Sequence, residues 1–287
     1  MKLAVLGDEI SQEIDLVTEV ASAAGAAGVE VRSVFGRPPG KLTDSQLRQI
    51  RRTLNDKNLT VAGFAPPAFK CRLPVTDQEC ADVAAELRGF IAQATVLGAP
   101  HVRIFTFFRN GEPNPVRAAH AAARVLSEVS ADMPLLVETG TRTNTPTMRH
   151  TIEFLEHVNR PELGILWDPG NSVFSGRDPR PFPNDYLAGR ELIRHVHVKD
   201  PDGTAGYVRI GTGDLPWPDI IYRLAEDGYS GFLSLETHWR IGRVLSAQER
   251  DQPWGDAFSR AGQQASIECL RILQQMLCGT EAMGPRP

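Results

Sequence analysis

Short runs of Val, Ile and Leu alternate along this chain with longer stretches rich in Ala, Leu, Arg and Glu. The runs predict strands near 2–6, 28–32, 59–64, 101–106, 134–138, 163–168, 194–198 and 232–236. The longer stretches predict helices near 11–26, 44–58, 77–98, 115–131, 147–159, 184–192 and 217–228, with a final helix over 256–277. Strands that recur at intervals of about thirty residues with helices between them form a parallel sheet with helical crossovers. Eight such units in about 250 residues is the size of a closed barrel, so the expected fold is α/β, a single (β/α)8 TIM barrel with a C-terminal helix. A doubly wound open sheet usually begins with a Gly-rich first turn; here that turn is LGDEISQ, with one Gly. Nothing linker-like divides the chain, so residues 1–278 are expected to form one barrel and 279–287 a mobile tail.

Strand parity sharpens this. Side chains alternate across a strand, so residues i and i+2 share a face. Glu138 shares a face with Leu136, and Asp168 with Leu166, while Leu135, Val137, Ile165 and Trp167 take the other side. His195, His197 and Lys199 lie together, opposite Val196 and Val198; Ser234, Glu236 and His238 lie opposite Leu233 and Leu235. Glu30 with Arg32, and His101 with Arg103, follow the same rule. Six strands thus place polar groups on the barrel axis, and several do so at their C-terminal ends, where barrel enzymes build active sites.

The apolar runs LLVE, LGILWD, HVHV and FLSLE deliver Glu138, Asp168, His197 and Glu236 from the fifth to eighth strands. One acid at a strand end is usually a loop cap or half of a salt bridge. Four on adjacent strand ends, about 5 Å between neighbours, can surround one ion, and a buried charge needs such compensation. Three carboxylates and an imidazole make a hard, oxygen-rich donor set for one divalent ion. Mn²⁺ is the first choice, with Mg²⁺, Co²⁺ and Zn²⁺ as alternatives.

Composition narrows the partners. The chain is 41% hydrophobic and 23% charged, an ordinary globular balance, and its net charge of -4 offers no broad basic face for nucleic acid. No apolar stretch approaches the ~20 residues of a membrane span, and MKLAVLGDEI does not read as a signal segment. Cys71, Cys80, Cys269 and Cys278 form no CxxC pair and are expected to be reduced, as in a cytoplasmic protein. The expected partner is a small sugar or polyol, with a homo-oligomer possible through the apolar final helix.

The segments GVEVR, HVRIF, LLVETG, WDPGN, HVHVKD, RIGTGDLPW and GYSGFLSLETHW, in this order between about residues 28 and 239, resemble the sugar phosphate isomerase/epimerase family of xylose-isomerase-like barrels. The resemblance implies Glu138, Asp168, His197 and Glu236 as metal ligands, with Glu138 and Glu236 doubling as the acid/base pair. The chain departs from several epimerases at Thr139-Gly140, at Asn171 and at Gly203. The expected activity is isomerisation or epimerisation of a small sugar, keto-polyol or sugar phosphate through a metal-stabilised enediolate.

Other residues carry two readings each. Lys199 contacts a substrate oxygen or stabilises the enediolate, or else pairs with a neighbouring acid. Arg103 binds a substrate hydroxyl or carboxylate, or pairs with Glu30 or Glu138 inside the barrel. Arg209 with Gly211 and Gly213 forms a phosphate site or a plain turn. Asn171 holds a substrate hydroxyl or closes an Asx turn. Glu30, His195 and His238 complete the candidate substrate-binding set, and Trp239 and Phe107 are candidate pocket walls. A dehydratase of the inosose or dehydroshikimate type is the competing activity, with His238, His195 or Lys199 as its acid. An apurinic-endonuclease-like phosphodiesterase needs further His ligands, and His101 starts its strand, at the wrong end to supply one. A non-catalytic sugar-binding module is the remaining alternative.

Overall fold

Eight parallel strands close on themselves in the structure, a computed structural model that describes residues 1–130 and 133–283. They are β1 (Lys2–Leu6), β2 (Gly28–Val31), β3 (Thr60–Ala68), β4 (Val102–Ile104), β5 (Leu135–Glu138), β6 (Leu163–Trp167), β7 (Ile193–Val198) and β10 (Phe232–Leu235). Their order around the barrel is β1-β10-β7-β6-β5-β4-β3-β2, every barrel pairing parallel. A small antiparallel hairpin, β8 (Asp200–Asp202) and β9 (Gly206–Val208), folds out after β7.

The outer helices are α1 (Ile14–Ala23), α2 (Asp44–Asp56), α3 (Asp77–Leu97), α4 (Pro115–Leu126), α5 (Met148–Val158), α7 (Asn184–Gly189), α8 (Trp217–Glu226) and α11 (Gly262–Met283); short helices α6 (Pro169–Phe174), α9 (Ala247–Asp251) and α10 (Gly255–Ser259) lie in loops. Local chemistry sets several starts. Thr43 with Gln46 and Thr76 with Glu79 form reciprocal capping boxes that satisfy the first N–H groups of α2 and α3. Asn114 caps α4, with Pro115 at its first position. Val29, Val31, Ile104, Val137, Ile165, Trp167, Val196, Val198, Leu233 and Leu235 are buried in the main hydrophobic core. The opposite face of the strands holds the polar set.

Three segments differ from the sequence expectation. β3 continues to Ala68 through Pro66-Pro67, and its register against β4 slips between Phe64 and Ala68. The extra residues of β3 bulge between these pairings, Ala68 ends level with Ile104, and the residues that follow lie at the barrel mouth. The predicted helix over 256–277 breaks into α10 and α11 at Ala261, whose φ is +60°. There Gly262 packs so closely on η1, the 3-10 turn Gly7–Glu9, that an added Cβ would lie 2.0 Å from the Glu9 carbonyl oxygen. Finally, α11 runs to Met283, past the point where a tail was expected; residues 284–287 lie outside the described residues, as does residue 131 of the predicted fourth helix. None of the helices among the described residues is long and apolar enough to cross a membrane.

Gly262→Ala is expected to cost about 1–3 kcal/mol, because backbone and not a flexible side chain must give way. Thermal unfolding monitored by circular dichroism checks it; an unchanged midpoint contradicts the close packing.

Candidate metal centre

Glu138 ends β5, Asp168 follows β6, His197 sits within β7 and Glu236 follows β10, all buried. One ligand atom from each of the four lies within 4.8 Å of the others. The neighbouring strand ends are stitched together: the Thr139 hydroxyl donates to the Asp168 carbonyl at 2.9 Å and accepts from the Asp168 amide at 2.8 Å. Asp168 Oδ1 caps α6, accepting from the Asn171 amide at 2.9 Å, which leaves Oδ2 for the centre.

The histidine is set by what lies behind it. His197 Nε2 lies 3.1 Å from both oxygens of buried Glu30. A carboxylate only accepts, so Nε2 carries the proton and Nδ1 faces the three acids, 3.7 Å from Glu138 and Asp168 and 3.4 Å from Glu236. His197 Nδ1, Glu138 Oε2 and Asp168 Oδ2 are buried without a hydrogen-bond partner. His197 Nδ1 and Asp168 Oδ2, 3.7 Å apart and without hydrogen bonds, are atoms a bound cation satisfies, and the donor set is that of a hard divalent ion. The residues therefore fit a metal.

Cations surround the cluster. Arg103 Nη1 lies 3.0 Å from Glu138 Oε2 without hydrogen-bond alignment, Arg32 pairs with Glu236, and Lys199 bridges Asp168 Oδ2 (2.8 Å) and Glu236. Burial alone would raise the pKa of Glu138, but Arg103 and His197 outweigh it and hold it down at about 2. Burial is likewise overcome at Glu236, held well below the usual range by Lys199, His238 and Arg32. Lys199 is raised well above its ordinary value, Asp168 and Glu236 outweighing burial. At His197, Glu30 and the three acids outweigh burial and raise the pKa well above the ordinary value, so a metal must displace a proton there.

Above the centre lies a pocket of about 280 Å³, bounded by the loops at the C-terminal ends of the strands. Glu138, Glu236, Lys199, Arg103, Asn171 and His238 line it. Asn171 does more than close a turn: its Nδ2 donates to Glu138 Oε1 at 2.9 Å, and its Oδ1 accepts from Lys199 at 3.3 Å. His238 faces the pocket with Nδ1 2.9 Å from Glu9 Oε1.

Three candidate substrate contacts do not reach the pocket. Glu30 stands behind His197. His195 is a core group, its Nε2 2.8 Å from both Glu30 Oε2 and the Ser234 hydroxyl, with the His101 ring tilted against it at 4.8 Å between ring centroids. Arg209 is exposed on its loop, and the amides of Gly211 and Gly213 donate to Asp200 Oδ2 at 2.8 and 3.0 Å. Those amides, which a phosphate would need, are consumed by Asp200, so the segment is a turn. Phe107 is buried against Phe69 and, with Trp239, is replaced as pocket wall by Phe105, Phe174, Tyr207 and Trp254.

Sequence reasoning missed a group brought in by turns. Glu9 accepts from Arg240 at 2.8 Å, and Arg32 donates to Asp8 at 2.8 and 2.9 Å. Burial at Glu9 is overcome by Arg240 and His238, which hold its pKa low. Tyr207 arrives on β9 and stacks on Phe174, with 4.8 Å between centroids. The signal available for Asp8 and Glu9 was their place directly after β1, at the same barrel end as the ligands.

A closed parallel barrel with a buried acid–histidine cluster at the C-terminal strand ends defines a class of barrel enzymes. Residues 18–270 match the family model described as xylose isomerase-like TIM barrel, and the chain belongs to that family. Over 103 residues it is 30% identical to the rhizopine catabolism protein MocC of Rhizobium meliloti, 30% of this chain and 31% of that protein. The chain's matches span 31% of the length of the curated relatives. Among solved structures it is similar to an L-ribulose 3-epimerase (TM-score 0.74, 17% identity, 99% of this chain and 98% of that one). It is also similar to the probable 3-DHS dehydratase AsbF of Bacillus anthracis (TM-score 0.68, 18% identity, 96% and 99%).

If Glu30 orients His197 for a metal, Glu30→Gln lowers Mn²⁺ affinity about 10- to 100-fold. Titration calorimetry reads this, and wild-type affinity falls as pH is lowered because the proton on Nδ1 competes. Equal affinity in the variant removes Glu30 from the assignment.

Proposed function

We propose that the protein is a divalent-metal-dependent isomerase or epimerase of a small sugar, keto-polyol or sugar phosphate. The observation that carries this reading is the convergence of Glu138, Asp168, His197 and Glu236, one ligand atom of each within 4.8 Å of the others, at the floor of a pocket. An ion held there supplies Lewis-acid polarisation of a substrate carbonyl, which acidifies the adjacent C–H.

The chain's own groups supply the rest. Glu138 and Glu236 come from strands separated by β6 and β7 in the barrel. Two carboxylates so placed can address opposite faces of a substrate, one removing the proton next to the carbonyl and the other returning one. Depressed pKa values keep both ionised in the resting site, so one can accept a proton directly, and the one that returns a proton first takes it from solvent. Lys199, protonated between Asp168 and Glu236, can donate to the oxygen on which negative charge develops. Asn171 fixes Glu138 through Nδ2. Phe105, Phe174, Tyr207 and Trp254 wall the pocket and limit water. The name of the L-ribulose 3-epimerase agrees with this chemistry. Mn²⁺ is the preferred ion for the donor set, and four free cysteines agree with a reducing compartment such as the cytoplasm.

A dehydratase is the second reading, supported by two acids beside Glu236 in the pocket, Lys199 and His238. It begins with the same proton removal and then expels a β-hydroxyl. A dehydratase yields a conjugated, ultraviolet-absorbing product, and an isomerase does not.

Glu138→Gln and Glu236→Gln are expected to lower exchange of the substrate α-hydrogen with D₂O by 10²-fold or more, with the thermal midpoint kept within a few degrees. Proton NMR over a panel of ketoses, inososes and their phosphates measures it. Full exchange in both variants sinks the assignment.

A further inference from the structure

The pocket mouth is cationic in a chain whose net charge is -4. Lys70, Arg109, Arg142 and Arg250 line its outer part, against the single carboxylate of Asp251. Arg142 pairs with Asp251. Among the described residues, Lys70, Arg109 and Arg250 form no ion pair with a carboxylate.

Lys70 is the innermost of the three by its neighbours. The slipped end of β3 and the left-handed Phe69 (φ +61°) carry it to the mouth. Its Nζ lies 5.4 Å from the centre of the Phe105 ring; the Arg103 guanidinium, which reaches Glu138, lies 4.7 Å from that centre. Among the described residues the ammonium donates one hydrogen bond, to the Asp251 carbonyl at 2.8 Å. Two of its three donors therefore remain. Burial, with Arg103 adding repulsion, pulls its pKa down to about 8, so it is still mostly charged at neutral pH. Glu138 and Asp251 act on it only from beyond ion-pair distance; a half-buried ammonium without a carboxylate in contact is costly, and an incoming anion offsets that cost.

We infer that Lys70 anchors an anionic group on the substrate, a carboxylate or a phosphate, at the end of the pocket away from the four ligands. This rests on the pocket being the substrate site. It narrows the substrate class to acidic sugars or sugar phosphates, since Lys70 and the acid cluster lie one side chain pair apart, through Phe105 and Arg103. Arg109, which donates to the Thr141 carbonyl at 2.6 Å, and Arg250, over the Phe174 ring, add to the same positive field.

The test compares full-length wild-type, K70M and K70R proteins loaded with Mn²⁺, each checked for metal content and circular dichroism. The first arm measures α-hydrogen exchange with fructose, fructose 6-phosphate and fructuronate. Wild type is expected to favour one anionic form at least tenfold in kcat/KM; K70M raises KM for it at least tenfold, and K70R restores part of the loss. The favoured anion names the group. Preference for neutral fructose, or an anionic preference kept by K70M, overturns the inference. The second arm titrates inorganic phosphate and propionate. Tighter binding of either by wild type and K70R than by K70M supports the subsite even if no ketose exchanges, in which case the isomerase reading alone fails. Equal binding by all three proteins overturns the subsite.

Discussion

Four ionisable side chains can be buried together at one end of a barrel only if opposite charge meets them at close range. Ionised carboxylates removed from water are expensive unless paired, and here each has a cation beside it: Arg103 for Glu138, Lys199 for Asp168, and both Lys199 and Arg32 for Glu236. The compensation extends outward in layers. Arg32 is shared with Asp8 and Glu9, Glu9 also binds Arg240, and Glu30 holds His197 from below. The barrel mouth is thus one charge network. Neutralising any one member leaves a neighbour buried without its partner, which is where the large mutational costs in protein interiors arise.

The loops are built to preserve that network. Thr139 ties the ends of β5 and β6, and Asp168 spends one oxygen on capping α6, so the direction of the other is fixed by a backbone amide. The indole of Trp217 donates to the Lys199 carbonyl at 3.1 Å, holding that backbone under the hairpin of β8 and β9. Asp200 gathers the amides of Gly211, Gly213 and Leu215, which closes the following turn. Each of these contacts uses a main-chain group, so the charge network is anchored to the scaffold as well as to its own members.

The eight strands, their parity and the four candidate ligands were readable along the chain because each depends on a local period. A residue at the end of an apolar alternation must sit at a strand end, on a known face. His195 shows the limit of that logic. Parity places it on the axis with His197, but depth along the axis decides what it touches, and two residues deeper means Glu30 and Ser234. Arg209 shows another limit, since a Gly-Thr-Gly turn has the same sequence whether its amides face a ligand or an aspartate. Arg32 lay on the axial face by parity, yet its reach to Glu236 depends on how β2 and β10 flank β1 in the closed sheet.

The sequence by itself determined the barrel and the four acid and histidine side chains at its strand ends, because hydrophobic period and residue type are properties of short segments. Only the tertiary structure decided which nitrogen of His197 faces the acids, that Asp8, Glu9 and Arg240 join the charge network, and that Lys70 stands at the mouth without a carboxylate. Those facts follow from closure of the barrel, β1 against β10, and from a two-residue register slip between β3 and β4. Both bring together residues far apart in the chain, whose meeting no local period encodes.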